Sequence, residues 1–260
     1  MVDERIKKII DKFLSTHIYP RIIDKDNLLG VIVYGSATTG YFDKNSDVDV
    51  FILLNEAENV IRGVKIVDGV KVEYFIKSIE KFLSEGVNFS NMNCPSHIAL
   101  NQNCEILYGK TDLVKNILNS DNEYYNTNHK KPQINYLLKL VQIDNRLSSL
   151  KNIYKRNGEE FEMVYYNILE MIRSLHTAYN DEASIPFVKA YRVYNDSNYY
   201  KKYVGKNAKN PMPNPEFVEK YNRCIKEKGN REIMLNNLCD LYQYENQNYK
   251  INPKDYELVL

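Results

Sequence analysis

LGVIVYGSATTGYFDKNSDVDVFILL, residues 29–54, holds two apolar runs separated by a turn and a polar loop. The first run, Val31-Ile32-Val33-Tyr34, stops at Gly35-Ser36, and the second carries Asp47 and Asp49. Short Val- and Ile-rich runs ended by glycine read as buried strands rather than helix. Side chains along a strand alternate between faces, so Asp47 and Asp49 point the same way while Val48 and Val50 enter a core. Two carboxylates on one face repel unless a cation lies between them. A hard, oxygen-preferring dication such as Mg²⁺ suits one or two carboxylates plus substrate phosphates. Gly35 lets backbone approach a ligand with no Cβ in the way. Ser36 adds a hydroxyl and starts a short helix over Ala37 to Gly40, and amides at a helix start favour phosphate. The pattern points to phosphoryl or nucleotidyl transfer.

The neighbouring sequence offers a third acid. Val64 to Val67, Asp68-Gly69 and Val70 to Ile76 read as a hairpin, since Asp-Gly between alternating apolar runs is a strong turn signal. In the second arm Val72, Tyr74 and Ile76 share one face, and Lys71, Glu73 and Phe75 the other. Glu73 is an acid in mid-strand, where acids are depleted. If this arm lies beside the Asp47–Asp49 strand, Glu73 completes a triad of catalytic and metal-binding acids.

Gly35-Ser36, ten intervening residues, Asp47-x-Asp49 and a later strand acid resemble the DNA polymerase β-type nucleotidyltransferase superfamily. Within it the chain is similar in size to bacterial enzymes that adenylylate aminoglycoside or lincosamide antibiotics. The resemblance implies a Mg²⁺-dependent transfer of NMP, AMP from ATP, to a hydroxyl of a small molecule, with two metal ions on Asp47, Asp49 and Glu73 and pyrophosphate released. Gly35 and Ser36 then hold the β- and γ-phosphates. Glu73 is either the third ligand or a general base. Two other readings differ in class. One is the minimal-nucleotidyltransferase antitoxin, which modifies a partner protein. The other is a nucleotide-binding module with no chemistry.

The 260 residues suffice for one large domain or two small ones, and a net charge of +1 gives no general pull toward nucleic acid. Cys94, Cys104, Cys224 and Cys239 form no C-x-x-C pair and read as reduced thiols of a cytoplasmic protein. No apolar signal core opens the chain and no run is long enough to span a membrane. The expected partners are NTP and a small-molecule acceptor, with the chain a monomer or homodimer.

The expected fold class is α/β (α+β): a small mixed-sheet nucleotidyltransferase domain over residues 1–120, then an all-helical bundle domain over 121–260. An amphipathic helix over 3–17 carries Ile6, Ile9, Ile10, Phe13 and Leu14. Helices are expected from Ile79 to Glu85, from Pro95 to Asn103 and from Asp112 to Leu118. Gly109-Lys110-Thr111 invites a phosphate-loop reading, but the glycine required five positions earlier is Cys104, which rules it out. Ser120 to Pro132 has no apolar period and reads as a linker. Four helices follow: about 134–154, 161–179, 216–228 and 231–244, with an irregular stretch between Pro186 and Pro215. On the second of them Arg173 and His176 share a face with Glu162 and Glu170 nearby. Arg173 and Lys189, with Arg192, are candidates for contacting nucleotide phosphates, and tyrosines 191–203 for stacking on a base. Solvated helix charges and ordinary core or surface tyrosines account for the same residues.

Overall fold

A computed structural model describes residues 2–22, 24–90, 100, 103–128, 136–180, 182, 185–204 and 213–249. The chain divides into two compact units, Met1–Lys130 with Asn198–Lys209, and Lys131–Ser197 with Asn210–Leu260.

The first unit is built on five strands: β1 (Leu28–Tyr34), β2 (Val48–Leu54), β3 (Ile61–Val67), β4 (Val70–Ser78) and β5 (Glu105–Gly109). Their spatial order is β3-β4-β2-β1-β5. All neighbours are antiparallel except β2 and β4, which run parallel. The sheet is therefore mixed, as expected. Asp68 and Gly69 turn the β3–β4 hairpin with φ of 50° and 77°, the two left-handed residues that such a turn requires.

Both faces of the sheet are covered in part. Val31, Val33, Val48, Val50, Ile52, Val72, Tyr74 and Ile76 form one core with helix α1 (Glu4–Phe13), which contributes Ile6, Ile9, Ile10 and Phe13. Asp3 caps α1, its carboxylate accepting the Arg5 amide at 2.7 Å. On the other face Ile32, Phe51 and Leu53 meet Phe82, Val114, Ile117 and Leu118. These come from α3 (Ile79–Ser90) and α4 (Thr111–Asn128); a short α2 (Ser36–Thr39) follows β1. Each fully buried aliphatic side chain contributes about 1.5–3 kcal/mol. A one-residue slip of β2 would turn Val48, Val50 and Ile52 away from the α1 core and bring Asp49 into it, so the register is strongly set.

Three boundaries differ from the expectation. α3 runs on past Glu85 to Ser90, and α4 runs past Leu118, through residue 120, to Asn128. Val114, Ile117, Leu118 and Asp121 are buried, so packing on the sheet supports α4 although its second half has no apolar period. The Pro186–Pro215 stretch contains α7 (Phe187–Asn195) and α8 (Ser197–Val204). The expected helix over 95–103 and Cys94 lie outside the described residues, apart from residues 100 and 103.

The second unit is helical: α5 (Tyr136–Lys155), α6 (Phe161–Tyr179), α7, α9 (Pro215–Lys226) and α10 (Arg231–Tyr249). They enclose one core that includes Leu140, Ile143, Leu147, Tyr165, Ile172, Phe217, Tyr221 and Leu238. Asn157, with φ of 54°, turns the chain between α5 and α6. The fold class matches the expectation: a mixed-sheet α/β domain followed by a helical region.

Candidate active site

β2 explains why acids stand at one end of a buried sheet. Val48, Val50 and Ile52 fill the α1 face, which turns Asp49, Phe51 and Leu53 to the opposite face. Phe51 and Leu53 are covered there, whereas Asp49 lies toward the strand's start and is only partly buried. Asp49 is in register with Tyr34 on β1 and with Glu73 on β4. Asp47 directly precedes β2. The carboxylates of Asp47, Asp49 and Glu73 each offer an oxygen within 4.8 Å of the others.

Gly35 is required beside them. Its φ of 72° is left-handed, and a Cβ there would collide with the Asp49 carboxylate. The turn is tied down by Ser36, whose hydroxyl donates to the Asp47 carbonyl at 3.4 Å, and by Thr38, whose hydroxyl donates to the Asn103 carbonyl at 2.5 Å. In the loop between them, Ser46 donates its amide to the Asp43 carbonyl, and its hydroxyl accepts the Asp43 amide. Asp43 therefore shapes its own loop, in keeping with a turn residue.

Two cations border the acids. Lys71, two residues before Glu73 on the same face of β4, donates its ammonium to Glu73 Oε1 and lies 3.6 Å from Asp47 Oδ2. The hydrogen bond to Glu73 holds the ammonium above its ordinary pKa, and the nearby charges of Glu73 and Asp47 act in the same direction. Arg62 on β3 is 3.8 Å from Glu73 Oε2, its guanidinium 5.2 Å over the Phe75 ring. Burial, then the charges of Asp49 and Glu73, push the Tyr34 hydroxyl well above its usual pKa, so it stays a neutral phenol. Lys71 and Arg62 were not among the expected site residues. Strand alternation already placed Lys71 on Glu73's face; Arg62 needed the β3–β4 pairing.

The donor set fits a divalent metal: three carboxylates, all hard oxygen donors, converge at a half-exposed spot. The second unit's candidates are placed differently. Arg173 is buried on α6 and makes a bidentate pair with Glu170, at 2.7 and 2.6 Å. Lys189 is exposed on α7. His176 is buried, stacked on Phe217 with ring centroids 3.6 Å apart. Its Nδ1 is 2.5 Å from Glu245 and its Nε2 3.3 Å from Glu182. Burial acts to lower its pKa, but the hydrogen bonds to Glu182 and Glu245 outweigh it and hold the imidazole up at about 9. His176 is thus a satisfied core cation. Tyr199 on α8 lies edge-on to Tyr41, with centroids 4.7 Å apart.

Residues 20–108 match the model of the nucleotidyltransferase domain family, and this span contains Gly35, Ser36, Asp47, Asp49 and Glu73. No curated protein matches the chain. Among solved structures, the chain is similar to a nucleotidyltransferase-like protein from Exiguobacterium sibiricum 255-15, at 10% identity, 94% of this chain and 75% of that one, with a TM-score of 0.43. It is also similar to spectinomycin adenyltransferase AAD(9) from Enterococcus faecialis, solved with ATP and spectinomycin, at 14% identity, 93% of this chain and 96% of that one, with a TM-score of 0.31. The chain carries a nucleotidyltransferase domain and is a nucleotidyltransferase.

Proposed function

We propose that this enzyme transfers AMP from ATP to a hydroxyl of a small molecule such as an aminoglycoside or lincosamide antibiotic, releasing pyrophosphate, in the cytoplasm. One observation carries the reading: the carboxylates of Asp47, just before β2, Asp49 on β2 and Glu73 on β4 converge within 4.8 Å inside the matched nucleotidyltransferase domain. The acceptor class rests on the resemblance of the Gly-Ser, Asp-x-Asp and strand-acid pattern, together with chain length.

In this reading Asp47, Asp49 and Glu73 hold Mg²⁺, two ions when nucleotide is bound. The metal supplies positive charge on the triphosphate and lowers the pKa of the attacking hydroxyl. The acceptor oxygen bonds to the α-phosphorus, the bond to the β-phosphate oxygen breaks, and pyrophosphate leaves with that electron pair. The hydroxyl proton goes to Glu73 or to water. The open turn at Gly35 and Ser36 presents backbone amides to the β- and γ-phosphates. Arg173 and Lys189 are assigned to nucleotide binding from the helical region. Lys189 is the accessible one; Arg173 acts in this scheme while paired with Glu170. The division of labour places metal and phosphate binding in residues 1–120 and acceptor positioning in 121–260.

The test is incubation of the full chain with each NTP, Mg²⁺ and a panel of aminoglycosides and lincosamides, reading pyrophosphate release and acceptor mass. A gain of one NMP on an antibiotic is expected. NTP binding with no product from any pair overturns the antibiotic assignment, and a mass gain on a protein instead supports the antitoxin class.

A further inference from the structure

Lys71 touches acids from two parts of the site, Asp47 and Glu73. Alternation along β4 puts its side chain on the face of Glu73 and Phe75, and the flexible stem bends the ammonium onto Glu73 Oε1. The same nitrogen is 3.6 Å from Asp47 Oδ2, which precedes β2. Arg62, by contrast, lies 3.8 Å from the far oxygen of Glu73 and is engaged with the Phe75 ring. Three clustered carboxylates are mutually repulsive, and an ammonium between two of them relieves that repulsion.

We infer that Lys71 is the resident counterion of the acidic site: it bridges Asp47 and Glu73 when no divalent ion lies between them, and must be displaced for one to enter. The inference rests on reading Asp47, Asp49 and Glu73 as metal ligands. A hard dication sits about 2.0–2.1 Å from each ligand oxygen. An ammonium on two of the same carboxylates would stand only a few ångströms from that ion, and the two positive centres repel each other and compete for the same negative charge. The affinity for free metal is therefore the affinity of the acids less the work of moving Lys71. The lysine keeps the acids assembled and at the same time sets how readily metal enters.

The experiment is a Mn²⁺ titration of the full chain without nucleotide, the free ion followed by electron paramagnetic resonance. Lys71→Met removes the ammonium and keeps the stem. It is expected to bind Mn²⁺ about two- to fivefold tighter than the unaltered chain, the upper range of one displaced exposed ion pair. Lys71→Arg is expected to stay near the unaltered value, and Arg62→Gln to change it less than about twofold. Melting with a chelator present is expected to be lower for Lys71→Met, and its metal-induced rise larger. Unchanged or weaker Mn²⁺ binding by Lys71→Met overturns the inference. So does an equal gain from Arg62→Gln, which would show a diffuse charge effect rather than occupancy. Asp49→Asn separates the two levels. If it abolishes Mn²⁺ binding while Lys71→Met shows no gain, only the lysine's role falls. If Mn²⁺ binding is absent, or indifferent to Asp49→Asn, the metal-ligand reading falls and takes this inference with it.

Discussion

Asp47, Asp49 and Glu73 share their site with a lysine, while Glu182 and Glu245 share theirs with a histidine. The chemical types are alike and the surroundings are opposite. Lys71, Asp47 and Glu73 side chains are 46, 40 and 23% exposed. His176, Glu182 and Glu245 are 2, 2 and 1% exposed. Water screens the first group, so its cation can be exchanged for another at little cost. The second group has no water to fall back on, so removing one partner strands a buried charge. Acids around a cation are thus a candidate ligand site in the β2–β4 cluster and a structural lock in the α6–α10 cluster.

The contrast can be broken most severely at the lock. Glu245→Ala is expected to destabilise the fold by about 3–5 kcal/mol, read as a lowered denaturant midpoint. A loss under about 1 kcal/mol would mean that water reaches the cluster and that the two groups do not differ in kind. At the open site the effect moves from folding to chemistry. Asp49→Asn is expected to cut nucleotide transfer at least about a hundredfold, because charge is lost where the transition state needs it. Its melting temperature without metal should barely change, and near-normal pyrophosphate release would remove Asp49 from catalysis.

The smallest of the three effects is a pH dependence confined to the lock. His176 is held at about 9 in the fold against 6.5 for an ordinary histidine. A raised folded value means the stabilisation is complete below pH 6.5, fades from there to about 9 and is gone above it. Melting measured across that window should fall for the unaltered chain, and the gap to His176→Gln should narrow as pH rises. A gap that stays constant would show that the imidazole carries no charge in the fold.

How much could be read in advance follows the same division. The β-turn at Asp68-Gly69, the strands around Gly35-Ser36 and the shared facing of Asp47 and Asp49 were legible because they depend on local geometry alone. Alternation of period two and glycine's access to positive φ act within a few residues. The buried lock was not legible. Glu182 and Glu245 lie 6 and 69 positions from His176, with no periodic relation to reveal that two helices and a connecting segment bring them together. The full length of α4 was missed for a related reason: its Asn- and Tyr-rich half has weak propensity, and the helix is anchored on the sheet by its first half, through Val114, Ile117 and Leu118.

The amino-acid sequence by itself determined which side chains face which way on each strand, where the chain must turn, and that two aspartates are presented together. The tertiary structure decided that β4, and not β3, lies beside β2, parallel to it and in the register that sets Glu73 against Asp49. It also decided that Lys71 falls between the acids and that Arg173 and His176 turn inward. Strand order and burial depend on how entire faces cover one another, and that sum over distant residues has no local signature in the chain.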